Sequence, residues 1–163
     1  MFDLARARAT LIENRLALFK PSPALTEFMA STHPRLFLRA ANRTGKTKHA
    51  AAKLAGLMLD HPGAYRAVGV NYIQTTRVVG KYLQEFIPPS ELSTGCYYSP
   101  EHGWSHQLIR LRNGSCCQLQ TSEQLAIAHA GDDLDGVWLD EAPPSEILPE
   151  STARVMSRHG WLW

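Results

Sequence analysis

The stretch Leu36-Phe37-Leu38-Arg39-Ala40-Ala41-Asn42-Arg43-Thr44-Gly45-Lys46-Thr47 decides how this chain is read. Its three large apolar residues predict a short buried strand, and Arg39 to Gly45 a loop. Lys46 to Asp60 follows as a helix, with Ala51, Leu54, Leu57 and Met58 on one face. Ala40 to Thr47 matches the phosphate-loop pattern G-x-x-x-x-G-K-[ST], except that Ala40 replaces the first Gly. The physics survives that replacement. A loop that opens a helix presents unpaired N–H groups, and the helix dipole adds favourable potential for an anion. Gly45 allows close backbone approach, Lys46 reaches β- and γ-phosphates, and the Thr47 hydroxyl can ligate Mg²⁺. Asn42, Arg43 and Thr44 complete the candidate ATP-binding loop, with Arg43 placed to meet charge developing on the γ-phosphate. The plain alternative is a chance Gly-Lys-Thr opening an ordinary helix.

Outward from this stretch the chain alternates strand with helix. Tyr65 to Val70 predicts a second strand, Thr75 to Phe86 a second helix, and Val137-Trp138-Leu139 a third buried strand. Asn113-Gly114 between residues 106–112 and 115–120 is a strong hairpin signal. Residues 91–105 show no period. A last helix is expected from Ser151 to His159, ended by Gly160, with Trp161-Leu162-Trp163 starting another strand. On the other side, residues 4–19 predict an amphipathic helix, and Ala24 to Ser31 a short one before His33-Pro34. This rhythm predicts an α/β fold with a mostly parallel sheet flanked by helices, carrying a β-hairpin insertion.

A hydrolytic reading of the loop needs a carboxylate at the end of a neighbouring buried strand, and Asp140 stands there, followed at once by Glu141. Adjacent carboxylates leaving a strand point in different directions and can divide two jobs. Asp140 is the candidate Mg²⁺ carboxylate with Thr47, and Glu141 the group that polarises the attacking water. A solvated Asp-Glu turn is the alternative.

The remaining features bound the reading. The chain has 163 residues, 44% hydrophobic and 20% charged, which suits one globular domain and excludes a disordered tail, collagen or a small disulfide scaffold. The net charge of +2 hides a split: residues 35–81 carry nine Lys/Arg against Asp60 alone, whereas residues 82–163 carry four Arg against eleven acids. Arg39, Arg43, Lys46 and Lys48 surround the loop. For Arg66, Arg77 and Lys81 a solvated face is expected, with DNA contact the rival reading. Asp132, Asp133 and Asp135 are read as a solvated acidic loop rather than a second metal site. Cys96, His102, His106, Cys116 and Cys117 lack the paired ligand blocks of a zinc knuckle. Ser122 and Ser145 have no His/Asp arrangement that makes a nucleophile, and His49 and His129 read as structural. Arg154 and Arg158 share a helix face, either to sense nucleotide or to pair with the acids. Three cysteines with no obvious pairing imply a reducing compartment. The charged N-terminus is unlike a signal peptide, and the most apolar run, Ala50 to Leu59, is interrupted by Lys53 and too short to span a membrane.

With both motifs placed, the chain resembles the ATPase domain of large terminase subunits, the DNA-packaging motors of tailed phages. The resemblance is carried by Ala41 to Thr47, Val68-Gly69-Val70, Asn113-Gly114-Ser115 and Gly131 to Pro143, and covers about residues 20–163. It implies a RecA-like P-loop NTPase of the additional-strand, catalytic-glutamate type over residues 35–163, behind an N-terminal helical segment, 1–34. It also implies ATP and Mg²⁺ as ligands, double-stranded DNA, the portal protein and the small terminase subunit as partners, homo-oligomers, and the host cytoplasm. Leu25 stands where family members place an adenine-reading Gln. Trp161-Leu162-Trp163 stands where the family continues into a Thr-containing coupling motif, and the nuclease domain is absent, so a fragment or truncated reading frame is expected. Two rival functions remain: a non-catalytic nucleotide- or partner-binding remnant, and a helicase-like ATPase, against which stands Ala142-Pro143 after Asp140-Glu141.

Overall fold

The computed structural model describes Glu13 and residues 15–124, 126–131 and 133–163. Most of the helix expected over residues 4–19, and Asp132, lie outside these. The elements run in order as α1 (Thr26–Ala30), α2 (Lys46–Asp60), β1 (Ala64–Gly69), α3 (Tyr72–Gln74), a π-helical turn (Thr75–Val79) and α4 (Gly80–Phe86). They continue through β2 (Tyr98–Ser99), β3 (Gly103–Trp104), β4 (Leu108–Arg110), β5 (Cys116–Thr121), α5 (Ala126–His129), β6 (Gly136–Leu139), α6 (Ile147–Met156) and β7 (Trp161–Leu162).

The main sheet has the order β4-β5-β1-β6-β7. β1 is its centre, parallel to β5 from Ala64↔Cys116 to Gly69↔Thr121 and to β6 from Tyr65↔Gly136 to Val68↔Leu139. β7 continues parallel beyond β6, and β4 closes the other side antiparallel to β5. Register sorts the side chains. Tyr65, Ala67, Cys117, Leu119 and Trp138 pack with Ala51, Leu54, Ala55 and Met58 of α2 and Leu83 and Phe86 of α4. Val68, Val137 and Leu162 join Val155 of α6 on the opposite face. A strand covered on both faces reads as continuously apolar, which is why Val137-Trp138-Leu139 of β6 stood out in the sequence.

The helix over Lys46–Asp60 and the Asn113-Gly114 hairpin are where the sequence places them. That turn does a second job. Asn113 Nδ2 donates to the carbonyls of Met58 and Leu59 (2.9 and 3.1 Å) and Ser115 Oγ to Met58 O (2.6 Å), satisfying the last carbonyls of α2. Two expected boundaries shift. The second helix starts at Tyr72 rather than Thr75, because Asn71 Oδ1 caps it by accepting from the Gln74 amide (2.9 Å). The last helix starts at Ile147 rather than Ser151, with Pro149 in its first turn, where a missing N–H costs nothing.

The strand expected at Leu36-Phe37-Leu38 is a correction. The segment meets β7 only at its start, through the Arg35↔Leu162 bridge, in which the Leu162 amide donates to Pro34 O (2.8 Å) and the Leu36 amide to Leu162 O (3.0 Å). β7 spans two residues, so the ladder stops there, and Phe37 is 89% exposed. Residues 91–105, which show no period in sequence, hold the small β2–β3 ribbon, just after a 3₁₀ turn at Pro89–Glu91. No helix among the described residues is long and apolar enough to cross a membrane.

Candidate functional site at the carboxyl edge of the sheet

Because β1 and β6 run parallel, the chain leaves both at one edge: Val70 to Gln74 from β1, and Asp140-Glu141 from β6. The loop before α2 meets them there. Gly45 is the N-cap of α2 at φ 86°, left-handed backbone that glycine adopts without strain, and no side chain caps the helix. The first turn of α2 also carries no acidic residue, so its free amides point at a site with nothing anionic of its own helix beside it. Arg43 takes a left-handed φ of 64°, and Asn42 and Arg43 are exposed. Thr44 Oγ1 ties the loop by donating to Ala41 O (2.9 Å). Lys46 folds back across it, Nζ donating to the carbonyls of Ala40 (2.7 Å) and Ala41 (3.1 Å).

Thr47 and Asp140 meet across 93 residues of sequence. Thr47 Oγ1 donates to Asp140 Oδ1 at 3.0 Å and to Oδ2 at 3.3 Å. The Asp140 amide is bonded to Val68 O (2.8 Å), so the residue belongs to the sheet edge and is buried. Burial pushes its carboxyl above the usual range; hydrogen bonds from Thr47 and Gln74 pull it back, the charge of Glu141 pushes it up, and Lys46 pulls it down. Glu141 is exposed and holds φ at 83°. A left-handed glutamate costs about 1 kcal/mol or more, and such outliers gather where backbone geometry serves a site. A hydroxyl and a buried carboxylate form a hard-oxygen donor pair of the kind Mg²⁺ takes, so the residues fit that ion. A cleft of about 650 Å³ opens beside them, walled by Phe37 to Ala40 on one side and Leu139 to Pro143 on the other.

Gln74 belongs to the same site, and nothing in the sequence reading marked it. Its Nε2 donates to Asp140 Oδ2 and its Oε1 accepts from the Val70 amide (3.0 Å). The legible signal is Asn71-Tyr72-Ile73-Gln74, the spacing of a capping box, in which a Gln at the third helical position reaches back toward the cap. His49 also does more than fill the core. Its Nε2 accepts from the Ser22 amide (3.0 Å) and its Nδ1 donates to Gly45 O (2.8 Å), which fixes the tautomer and ties the segment before α1 to the loop.

Other candidates lie elsewhere. Lys48 pairs with Glu85 (2.7 Å), and Arg39 is exposed on the cleft wall. Asp135 staples the sheet: Oδ2 accepts from the Ala64 amide (2.7 Å) and from Arg158 (3.0 Å). Arg154 pairs with Glu150 (2.9 Å) and donates to Gly131 O (2.6 Å), so both helix arginines are spent on the acidic half. Arg66 corrects the solvated-face expectation: it is buried, donating to His129 O (2.6 Å) and Gln118 Oε1 (3.5 Å) between β1, β5 and α5. Arg77 and Lys81 are exposed, and the three cysteines are free. Among the described residues no group of three or more His, Cys, Asp or Glu converges on a metal-sized point.

No family model and no curated protein matches the chain. Among solved structures it is similar to the large terminase ATPase domain of Thermus phage P74-26, with a TM-score of 0.72 and 16% identity over 91% of this chain and 65% of that one. A point mutant of the same domain gives a TM-score of 0.70 and 20% identity, over 91% of this chain and 66% of the other. The chain thus spans just under two thirds of the length of the structures it matches, and at that identity the likeness is one of fold. The chain has the mixed α/β fold of a phage large terminase ATPase domain, with a mostly parallel sheet between helical layers.

Proposed function

We propose that this chain is the ATP-hydrolysing module of a viral double-stranded DNA packaging motor, built as a RecA-like P-loop NTPase. The observation that carries the reading is the Thr47–Asp140 contact at the carboxyl edge of parallel strands, where α/β folds bind their ligands. The strand order supports it as well, since β7 lies between β6 and the segment at Arg35 that leads into the loop.

In this reading the amides of residues 42–47 cradle the phosphates, and Lys46 turns its ammonium from the Ala40 and Ala41 carbonyls to the β- and γ-phosphates. Arg43, exposed on the same loop, meets charge developing on the γ-phosphoryl oxygens. Thr47 and Asp140 hold Mg²⁺, which neutralises phosphate charge when bound. Glu141, free of the sheet on its left-handed backbone, orients the attacking water and accepts its proton. Hydrolysis then drives a DNA-gripping element of the assembled motor, with portal protein and small terminase subunit as partners and further copies of the chain around it, in the host cytoplasm.

The test is nucleotide binding and multiple-turnover hydrolysis with and without DNA. Lys46→Ala should abolish binding. Glu141→Gln should keep binding and lower turnover by about 10²–10⁴-fold, the range a positioned base contributes. Parent-rate hydrolysis by Glu141→Gln refutes the base assignment. Binding without any turnover by the parent chain favours the non-catalytic remnant instead.

A further inference from the structure

The Gln74 carboxamide is held so that it can point only one way. A backbone N–H must donate and a carboxylate must accept, so Oε1 faces Val70 and Nε2 faces Asp140. Its seat is cut to fit. A Cβ at Gly69 would collide with Gln74 Oε1 and with Thr75 Oγ1, and would lie 3.0 Å from Thr75 Cα. The residue is also pinned from its own backbone, its amide donating to Asn71 Oδ1, and the turn that follows is π-helical from Thr75. Such single π turns inside helices recur at functional sites. The Asp140 carboxylate therefore has two fixed donors on different elements: Thr47 at the start of α2 and Gln74, the last residue of α3.

We propose that Gln74 is a positioning residue for the metal carboxylate, holding Asp140 in the orientation in which it meets the Thr47 hydroxyl. The inference rests on the ATP·Mg²⁺ reading of the site and adds to it a residue outside both motifs. A partner bonded to a metal-binding carboxylate fixes its direction, and removing such a partner commonly lowers metal affinity 10–100-fold.

The test compares the parent with Gln74→Ala and Gln74→Glu in two measurements. The first is the Mg²⁺ concentration giving half-maximal binding of a fluorescent, non-hydrolysable ATP analogue. Gln74→Ala should raise it about ten-fold while leaving binding without Mg²⁺ at the parent level. The second is the melting of the ligand-free protein. Gln74→Glu keeps the acceptor for the Val70 amide but turns a carboxylate toward Asp140, so it should melt below Gln74→Ala. A residue that only holds its own turn would give the opposite order, with Gln74→Glu melting like the parent. A parent-like Mg²⁺ requirement in Gln74→Ala, or a parent-like melt of Gln74→Glu, overturns the proposal while leaving the ATP reading standing. A parent chain that binds no nucleotide in the presence of Mg²⁺ removes the ATP reading, and this role with it.

Discussion

Replacing Gly69 with Ala adds one methyl group at the end of the central strand, and its effect can be worked from what that methyl meets. Gly69 has ordinary strand backbone, so alanine suffers no φ strain, and in a strand it gains about 0.5–1 kcal/mol over glycine from the unfolded state. The steric terms run the other way. The Gln74 carboxamide has to leave, giving up a hydrogen bond to a charged carboxylate worth about 1.5–3 kcal/mol and leaving the Val70 amide short of a partner, at about 1 kcal/mol or more. Thr75, which is 1% exposed, has to shift its backbone, and such overpacking costs about 1–3 kcal/mol. The clashes win, with a net destabilisation of about 3 kcal/mol at the low end of these ranges, after the entropic gain. For a chain of this length that corresponds to a fall in Tm of about 6–12 °C. The assay is a thermal melt followed by far-ultraviolet circular dichroism, on Gly69→Ala alone and in a Gln74→Ala background. The background removes one of the two side chains that collide, so the penalty should shrink there. A Tm within about 2 °C of the parent would refute the packing argument, because the entropic term alone is of that size.

Three further substitutions test the packing around the sheet. Asp135→Ala leaves the Ala64 amide at the head of β1 unpaired and should cost about 1–3 kcal/mol in urea unfolding. Arg158→Ala removes only a half-exposed ion pair and should cost under about 1 kcal/mol, and equal effects would contradict the staple. His129 lies buried beside Arg66, and burial first, then that charge, hold its imidazole below the ordinary value of 6.5. Below that pH the unfolded chain binds a proton that the folded chain refuses, so stability should fall on acidification through 6.5 and beneath it. His129→Phe should flatten the fall seen in urea midpoints between about pH 5 and 7, and an unchanged pH profile would contradict it.

Sequence alone determined those elements whose signal is local. Lys46–Asp60 is helical because its apolar residues recur at helical spacing and Gly45 opens it. The hairpin follows from Asn113-Gly114, and β6 from a run made apolar by burial on both faces. Lys46, Thr47, Asp140 and Glu141 were nameable because a phosphate loop and a strand-ending carboxylate each need a fixed residue type at a fixed local offset. The strand order, the exposure of Phe37 and the burial of Arg66 were not, since each depends on which distant strand lies alongside. Asp135 reads as a solvated charge and turns out, with Arg158, to hold the start of β1 to the segment after α6. Gln74 looks like any polar residue in the first turn of a helix. Only the parallel pairing of β1 with β6 brings the segment after Gly69 against Asp140, and no one-dimensional period records a contact between residues 66 apart.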